Sequence, residues 1–204
     1  MEGKNFWVFL DVETPCVKNN NAQESIVYWA GQCGLGEEVG AKFFQRIDLI
    51  DNLWGSGHKK IKQDPFYRPG GTLKIMPIFL KAMGATSKGL YDFARQSIRL
   101  TPNIKGVLKS LDDSFNVRLL STAYCFSIKA FCNLVGFSLE KVYCTRVDEF
   151  DKALITKEQA EILKSFMKEV ATWPVIRYSE KTGKIIPGHR DYYCLLYTSD
   201  AADE

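Results

Sequence analysis

Two kinds of hydrophobic pattern alternate along the chain, and the first is a short unbroken run. Five apolar residues, 6–10 (FWVFL), are followed at once by Asp11 and, two positions later, by Glu13. A short apolar run without polar alternation is typical of a strand that is buried on both faces of a parallel sheet. We therefore predict a first strand over residues 6–10, with two carboxylates at its carboxyl end.

The second pattern has the period of a helix and covers residues 21–99. Val39, Phe43 and Ile47 recur at intervals of four, which places them on one face of a helix. Pro77 falls inside a later helical pattern, where it predicts a kink or an early end. The whole region is predicted to be an all-helical block.

After residue 100 the chain returns to short apolar runs that alternate with helical patterns. Thr101 and Pro102 suit the N-cap and the first position of a helix. Further strands are predicted at residues 117–121 and 141–145, and further helices at residues 126–137 and 156–170. Such alternation is typical of an α/β fold with a parallel sheet. The predicted organisation is an α/β core over residues 1–15 and 100–193, into which residues 16–99 insert as a helical unit.

The composition restricts the class of protein. The chain has 204 residues, of which 46% are hydrophobic and 25% charged, and its net charge is +3, so a packed core is expected. No apolar run approaches the roughly 18 residues of a membrane span, and the apolar stretch near the N-terminus is too short for a signal peptide. The six cysteines form no C-x-x-C pair, which favours reduced thiols over zinc or disulfides. We expect a cytoplasmic protein without a membrane span.

A basic loop surrounds His58. Lys59, Lys60 and Lys62 are consistent with an ordinary solvated loop, or with a loop that steers an anionic substrate toward a cleft. The cluster lacks the interleaved aromatic residues of a platform for single-stranded nucleic acid. We therefore expect no nucleic-acid partner.

Polar side chains follow two of the predicted strands. Asp11 and Glu13 follow the first strand, and Ser121 and Thr122 lie at the end of the second. Ligands of open α/β sheets bind outside the carboxyl ends of the strands. Carboxylates there suit a hard cation such as Mg²⁺, and hydroxyl and backbone N–H groups suit an anion. The spacing indicates a phosphate-and-magnesium site, although acids after a strand also occur in plain solvated turns.

The ordered motifs resemble the haloacid dehalogenase superfamily. FLDVETP at residues 9–15 resembles its first motif, an apolar run followed by D-x-D-x-T, and FNVRLLSTAY at residues 115–124 resembles its second, a strand that ends in Ser or Thr. The helical block lies where phosphoserine-phosphatase-like members carry a helical cap of the C1 type. Residues 11–24 and 67–86 are also similar to an archaeal branch, the R subunit of energy-converting hydrogenase A. The resemblance implies a three-layer, Rossmann-like core.

The resemblance also implies roles for the residues at the strand ends. Asp11 would attack the phosphorus of a small phosphorylated metabolite to form an aspartyl-phosphate, and Glu13 would act as general acid and base. Both carboxylates would hold Mg²⁺. Ser121, or Thr122 as second choice, would bind the phosphoryl group. The activity implied is that of a magnesium-dependent phosphatase.

Some positions depart from the motifs of that superfamily. Glu13 stands where Asp is usual, Thr14 where Gly is common and Pro15 where Thr is common. Lys181 and Lys184 are conceivable for the lysine of the third motif, and no acidic G-D-x-x-x-D motif is found. These departures leave a second function open, that of a non-catalytic subunit or regulatory partner in a hydrogenase-type complex.

The last residues, 194–204 (CLLYTSDAADE), have an unusual origin. They back-translate into the transposon end and adapter of common sequencing libraries. We therefore expect them not to be native, and the chain to be truncated at its C-terminus. We also expect residues 1–204 to lack phosphatase activity by themselves, because the later motifs would be missing.

Overall fold

The structure is a computed structural model that describes residues 6–55, 70–178 and 185–187. The basic loop around His58 lies outside these residues. So do Lys181, Lys184 and the segment 194–204. The fold class, the sheet and most of the predicted helices can be compared with the structure.

A parallel sheet forms the centre of the α/β part. Its strands are β1 (Trp7–Asp11), β2 (Asn116–Tyr124) and β3 (Val142–Thr145), paired in the order β1-β2-β3. All three strands run parallel, which confirms the predicted α/β class. A separate antiparallel pair joins β4 (Ile176–Tyr178) to β5 (Ile185–Pro187).

Helices fill the connections between the strands. Between β1 and β2 lie α1 (Asn21–Gln32), α2 (Glu37–Gly55), α3 (Gly71–Ala82), α4 (Ser87–Ser97) and α5 (Ile104–Ser114). α6 (Cys125–Val135) and a short 3-10 helix (Leu139–Lys141) connect β2 to β3, and α7 (Lys157–Thr172) follows β3. The described part of residues 21–99 is helical, as its period predicts. From here on, "helical block" means α1 to α4.

The first helix after the helical block starts later than predicted. α5 begins at Ile104, and its N-cap is Asn103 in a left-handed conformation with φ of 59°. The backbone N–H of Thr101 donates to the carbonyl of Cys16 at 3.0 Å. The Thr101 hydroxyl has no hydrogen-bond partner in the described chain. The prediction that Thr101 is the N-cap and Pro102 the first helical residue is therefore wrong, because Asn103 takes the N-cap position.

Two hydrophobic clusters divide the core. One lies inside the helical block and includes Phe43, Met76 and Leu80, together with Met167 and Val170 of α7. The other lies between the sheet and the helices α5 and α6, where the largest fully buried side chains include Leu108, Leu119 and Ile128. α7, which the sequence assigns to the α/β core, thus packs on the helical block instead of on the sheet.

One face of the sheet stays exposed within the described chain. Trp7 and Phe9 are each 57% exposed, Tyr143 is 62% exposed, and Leu120 is 43% exposed. We call these four residues the open face. The prediction that the first strand is buried on both faces is therefore wrong for the described residues, in which α7 packs on α2 and α3.

Buried polar side chains join the helical block to α6. The side-chain amide of Asn21 donates to the Ser97 hydroxyl at 3.0 Å, and its Oδ1 accepts from the Ser127 hydroxyl at 2.6 Å. Asn21 and Ser127 are both buried. The Asn21 side chain thus bonds to both serines, which fixes α1 against α4 and α6.

A carbonyl that proline leaves unpaired ties α3 to the sheet. Pro77 has no N–H, so the carbonyl of Leu73, four residues earlier, lacks its helical partner. The hydroxyl of Tyr124, at the end of β2, donates to that carbonyl at 2.7 Å. The helix continues through Pro77 to Ala82, so an early end at this proline is excluded. Burial raises the pKa of the Tyr124 hydroxyl, which keeps it a protonated donor.

Among the helices that the structure describes, none combines the length and the apolar character needed to cross a membrane.

We predict that Tyr124→Phe lowers the free energy of unfolding by about 1–3 kcal/mol, because it leaves the part-buried Leu73 carbonyl without a donor. In a Pro77→Ala background the same change is expected to cost less, since the restored N–H can serve that carbonyl. Urea denaturation of the four proteins of this double-mutant cycle measures the coupling. An equal cost of Tyr124→Phe in both backgrounds would contradict this role for the tyrosine.

Candidate functional site

The carboxyl ends of the strands meet at one shallow groove. The pairing of Asp11 with Leu120 sets the end of β1 beside the polar part of β2. A groove of about 560 Å³ is lined there by Asp11, Ser121, Thr122 and Thr145, together with neighbouring apolar residues. Three of the four predicted site residues therefore share one groove.

Asp11 is the last residue of β1 and is exposed. Its Oδ1 accepts the backbone N–H of Glu13 at 3.2 Å. Within the described chain, Oδ2 has no hydrogen bond. The turn thus orients the carboxylate while one oxygen stays open to the groove.

Glu13 is half-buried and turns toward β2. Its Oε2 accepts the hydroxyl of Thr122 at 2.7 Å. Glu13 does not line the groove itself but a small neighbouring cavity of about 20 Å³. The fourth predicted site residue is thus joined to the other three through Thr122.

Ser121 and Thr122 differ in what their hydroxyls can still do. The Ser121 Oγ accepts the backbone N–H of Ala123 at 3.0 Å, and acceptance leaves its own O–H able to donate. The hydroxyl proton of Thr122 is already given to Glu13. Of the two hydroxyls, that of Ser121 is therefore the one whose proton remains available to an anion in the groove.

The position of Ser121 differs from the prediction. β2 continues to Tyr124, so Ser121 lies inside the strand and not at its end. The pairing of β2 with β3 loses its regular register between Leu120 and Tyr124. This irregularity exposes the polar groups of Ser121 and Thr122 to the groove, where a regular ladder would have paired their backbone.

Thr145 is a site residue that the sequence analysis missed. It ends β3, and its hydroxyl donates to the carbonyl of Thr122 at 2.6 Å. The signal that could have found it is the one used for the first two strands, a polar residue at the carboxyl end of a predicted strand.

The turn after Glu13 contains a strained residue. Thr14 has a φ of 73°, a left-handed conformation that is unfavourable for a β-branched side chain. Its N–H donates to the carbonyl of Val17 at 3.0 Å, and the N–H of Val17 donates to the carbonyl of Val12 at 3.1 Å. The turn that follows the two carboxylates is thus held in one shape by its own backbone bonds.

Cys16 is close to the site but is not a nucleophile. It is 1% exposed, and its thiol lies 3.5 Å from the Asp11 carbonyl oxygen. Burial, and secondarily the Asp11 carboxylate, raise the pKa of this thiol to about 11. Because thiol chemistry needs the thiolate, Cys16 is unreactive near neutral pH.

The carboxylates fit a magnesium ion in part. Asp11 and Glu13 each keep one oxygen without a hydrogen bond in the described chain, and oxygen is the ligand that Mg²⁺ prefers. The described residues include no group of three or more His, Cys, Asp or Glu side chains placed to hold a metal. Two carboxylates would leave most of an octahedral shell to water or substrate.

A larger groove, of about 750 Å³, lies between α3, α7 and residues 147–155. Its lining is largely apolar and includes Ile78, Leu154 and Ile162. Of the carboxylates at its rim, Glu149 pairs with Lys152 at 2.8 Å. We place the candidate site in the smaller groove, because a reactive site requires convergent polar groups more than volume.

The fold is similar to that of the gene product AF1437 from Archaeoglobus fulgidus, with a TM-score of 0.67 and 22% sequence identity. The match covers 86% of this chain and 50% of that one, so the chain spans about half the length of the archaeal protein. At this identity the likeness concerns the fold alone. No family model and no curated protein matches the sequence.

We predict that Thr14→Gly raises the free energy of unfolding by about 0.5–1 kcal/mol. Glycine removes a left-handed strain of about 1–2 kcal/mol, partly offset by the greater freedom of the unfolded glycine. Asn103→Gly is the matched control. Asparagine already tolerates the φ of 59° at this position, so the variant should raise the free energy of unfolding by only about 0.2–0.3 kcal/mol. Thermal and urea unfolding measure both. A destabilised Thr14→Gly would show that the threonine side chain contributes more than its backbone costs.

We predict that Cys16 makes stability fall between pH 9 and pH 11. Its pKa is about 11 in the folded protein, against a reference value of 9.0, so the unfolded chain loses its thiol proton first. The stabilisation of the folded protein by the protonated Cys16 thiol is therefore complete below pH 9 and is lost as the pH approaches 11. The difference in unfolding free energy between the parent and Cys16→Ala should shrink over this range, measured in reductant. A constant difference would contradict the buried, protonated thiol.

Proposed function

We propose that this protein is a phosphatase of the haloacid dehalogenase type that hydrolyses a small phosphomonoester. The observation that carries the proposal is the meeting of Asp11, Ser121 and Thr122 in one groove at the strand ends, with Glu13 joined to them by a hydrogen bond. These are the residues of the two motifs on which the resemblance rests. A nucleophile, an acid–base group and an anion donor are thus next to one another, which is what the reaction requires.

Two further features support the family assignment. The helical block is inserted between the first two strands, where phosphoserine-phosphatase-like members carry their helical cap. Thr14, at the position where glycine is common in the first motif, has the left-handed φ that glycine adopts most easily. The need for this conformation explains why glycine is common there, and the threonine adopts it at a cost.

The proposed core has three layers, as the superfamily implies. The described chain provides two of them, the sheet and the helices α5 and α6. Purely parallel sheets are normally covered on both faces, so the open face is the place for a third layer. Helices packed on Trp7, Phe9 and Tyr143 would bury these exposed aromatic residues.

The groove suits a two-step transfer. The open oxygen of Asp11, Oδ2, would form a bond to phosphorus as the bond to the leaving oxygen breaks, which gives an aspartyl-phosphate and an alcohol. Glu13 would give its proton to the leaving oxygen. It would then take a proton from the water that attacks the phosphorus, while the bond from phosphorus to Asp11 Oδ2 breaks, which releases inorganic phosphate and restores the carboxylate. The free O–H of Ser121 would donate to a phosphoryl oxygen, where negative charge gathers.

Magnesium would be held by Asp11 and Glu13 through oxygen atoms other than Asp11 Oδ2 and Glu13 Oε1, which take part in the transfer, with the rest of its shell from water and substrate. When bound, it would offset the repulsion between the Asp11 carboxylate and the anionic phosphate.

The groove also indicates the kind of substrate. Its polar rim lies beside the apolar side chains of Phe9, Leu120 and Tyr143. Its volume of about 560 Å³ is in the range of sites for small molecules. A small phosphorylated metabolite fits these dimensions.

We predict that the complete gene product hydrolyses p-nitrophenyl phosphate in Mg²⁺, and that Asp11→Asn lowers turnover by at least about 1000-fold, because an amide is a far poorer nucleophile. Asp113→Asn makes the same chemical change on the exposed surface of α5 and should leave turnover unaltered. Residues 1–204 are assayed beside the complete product. Full turnover in Asp11→Asn would exclude the aspartyl-phosphate route.

A second candidate function follows from the open face. Four exposed apolar residues on a sheet suit a contact with another protein, and the departures at residues 13–15 would then reflect a lost activity. In this case the protein is a non-catalytic subunit or regulatory partner of a hydrogenase-type complex. A folded, complete gene product without turnover on any of a panel of phosphomonoesters would favour this candidate over the phosphatase.

A further inference from the structure

We infer that Thr122 and Thr145 are positioning residues that hold the carboxylate of Glu13 through a series of hydrogen bonds from β3 through β2 to the turn after β1. The inference rests on the proposed function for the role of Glu13, whereas the hydrogen bonds are seen in the structure whatever the function. Neither threonine would touch the reacting atoms. The sequence analysis names Thr122 as the second choice for binding the phosphoryl group. We infer instead that its hydroxyl positions the carboxylate of Glu13.

Two bonds make up this series. The hydroxyl of Thr145 donates to the backbone carbonyl of Thr122 at 2.6 Å. The hydroxyl of Thr122 donates to Oε2 of Glu13 at 2.7 Å. The three residues belong to β3, to β2 and to the turn after β1, so the series crosses the sheet from one described edge to the other.

The bond from Thr145 replaces a missing part of the ladder. The register between β2 and β3 is irregular from Leu120 to Tyr124, so the backbone at Thr122 lacks regular pairing. A side-chain hydroxyl that donates to its carbonyl fixes the backbone of this segment. The position of the Thr122 side chain is fixed in turn, because a β-branched side chain has few χ1 rotamers.

The bond to Glu13 assigns different tasks to its two oxygens. A glutamate side chain has three rotatable bonds and loses conformational freedom when it is held in one geometry. With Oε2 engaged by Thr122, Oε1 is the oxygen left to carry and release a proton. Misplacement of a reacting group by about 1 Å can lower the rate by about 100-fold. An effect of this size is expected when the hydrogen bond from Thr122 to Glu13 is removed.

The test compares Thr122→Val and Thr122→Ser in the complete gene product. Valine keeps the shape but removes the donor, and is expected to lower kcat by about 10- to 100-fold with KM within about twofold. Serine restores the donor and should recover kcat to within about threefold of the parent. Thr145→Val is expected to have a smaller effect in the same direction, because it acts through the backbone of Thr122.

Thr101→Val is the matched control. Its hydroxyl is buried and has no hydrogen-bond partner in the described chain, so removal of the oxygen should leave kcat unaltered. A loss of kcat in this variant equal to that in Thr122→Val would attribute both losses to the fold, and would overturn the inference.

A second readout does not depend on catalysis. NMR of residues 1–204 with ¹³C-labelled glutamate reports the side-chain couplings and carboxyl signal of Glu13. A single rotamer is expected in the parent and in Thr122→Ser, and averaging among rotamers in Thr122→Val. If neither the parent nor any variant hydrolyses a phosphomonoester, but Thr122→Val frees the Glu13 side chain, the positioning role of Thr122 is supported and the phosphatase proposal fails. An unaltered Glu13 side chain in Thr122→Val would overturn the positioning whatever the activity.

Discussion

The parallel pairing of β1 with β2 sets the geometry of the sheet and of the candidate site. The whole helical block separates the two strands in sequence, yet they pair residue by residue from Trp7↔Asn116 to Asp11↔Leu120. Leu10 and Leu119 face the core on the α5–α6 side. A slip by one residue would expose Leu10 and turn Asp11 into the core. Burial of apolar side chains therefore sets the position of the carboxylate.

The helical block is a long insertion between paired strands, and the site keeps its shape only if this block is fixed to the α/β part. Two polar contacts near the carboxyl ends of the strands fix it there. Asn21 connects α1 to α4 and α6. Tyr124 connects the end of β2 to α3 at the carbonyl that Pro77 leaves unpaired. Both contacts satisfy buried groups that would otherwise be costly, so the helical block and the sheet stabilise each other at the edge where the candidate site lies.

The site combines fixed and open groups. Backbone bonds and the strained Thr14 hold the turn after β1, and threonines of β2 and β3 hold Glu13 and the irregular part of β2. Asp11 Oδ2 and the Ser121 hydroxyl remain available to a ligand within the described chain. The apolar open face extends from the same groove, so whatever covers that face, a further layer or another protein, also forms a wall of the site.

Local patterns in the sequence were sufficient to predict the α/β class and the helical block, because these depend on local hydrophobic period. Pattern and resemblance also indicated Asp11, Glu13, Ser121 and Thr122. The three-dimensional contacts were needed to show that the Thr122 hydroxyl is already engaged, that Thr145 joins the site, that α7 packs on α2 and α3, and that one face of the sheet is exposed within the described chain. The same holds for the bond from Tyr124 to the carbonyl that Pro77 leaves unpaired, and for the start of α5 at Ile104 with Asn103 as its N-cap. All of these outcomes except the start of α5 depend on contacts between residues distant in sequence, and local hydrophobic periodicity carries no record of such contacts.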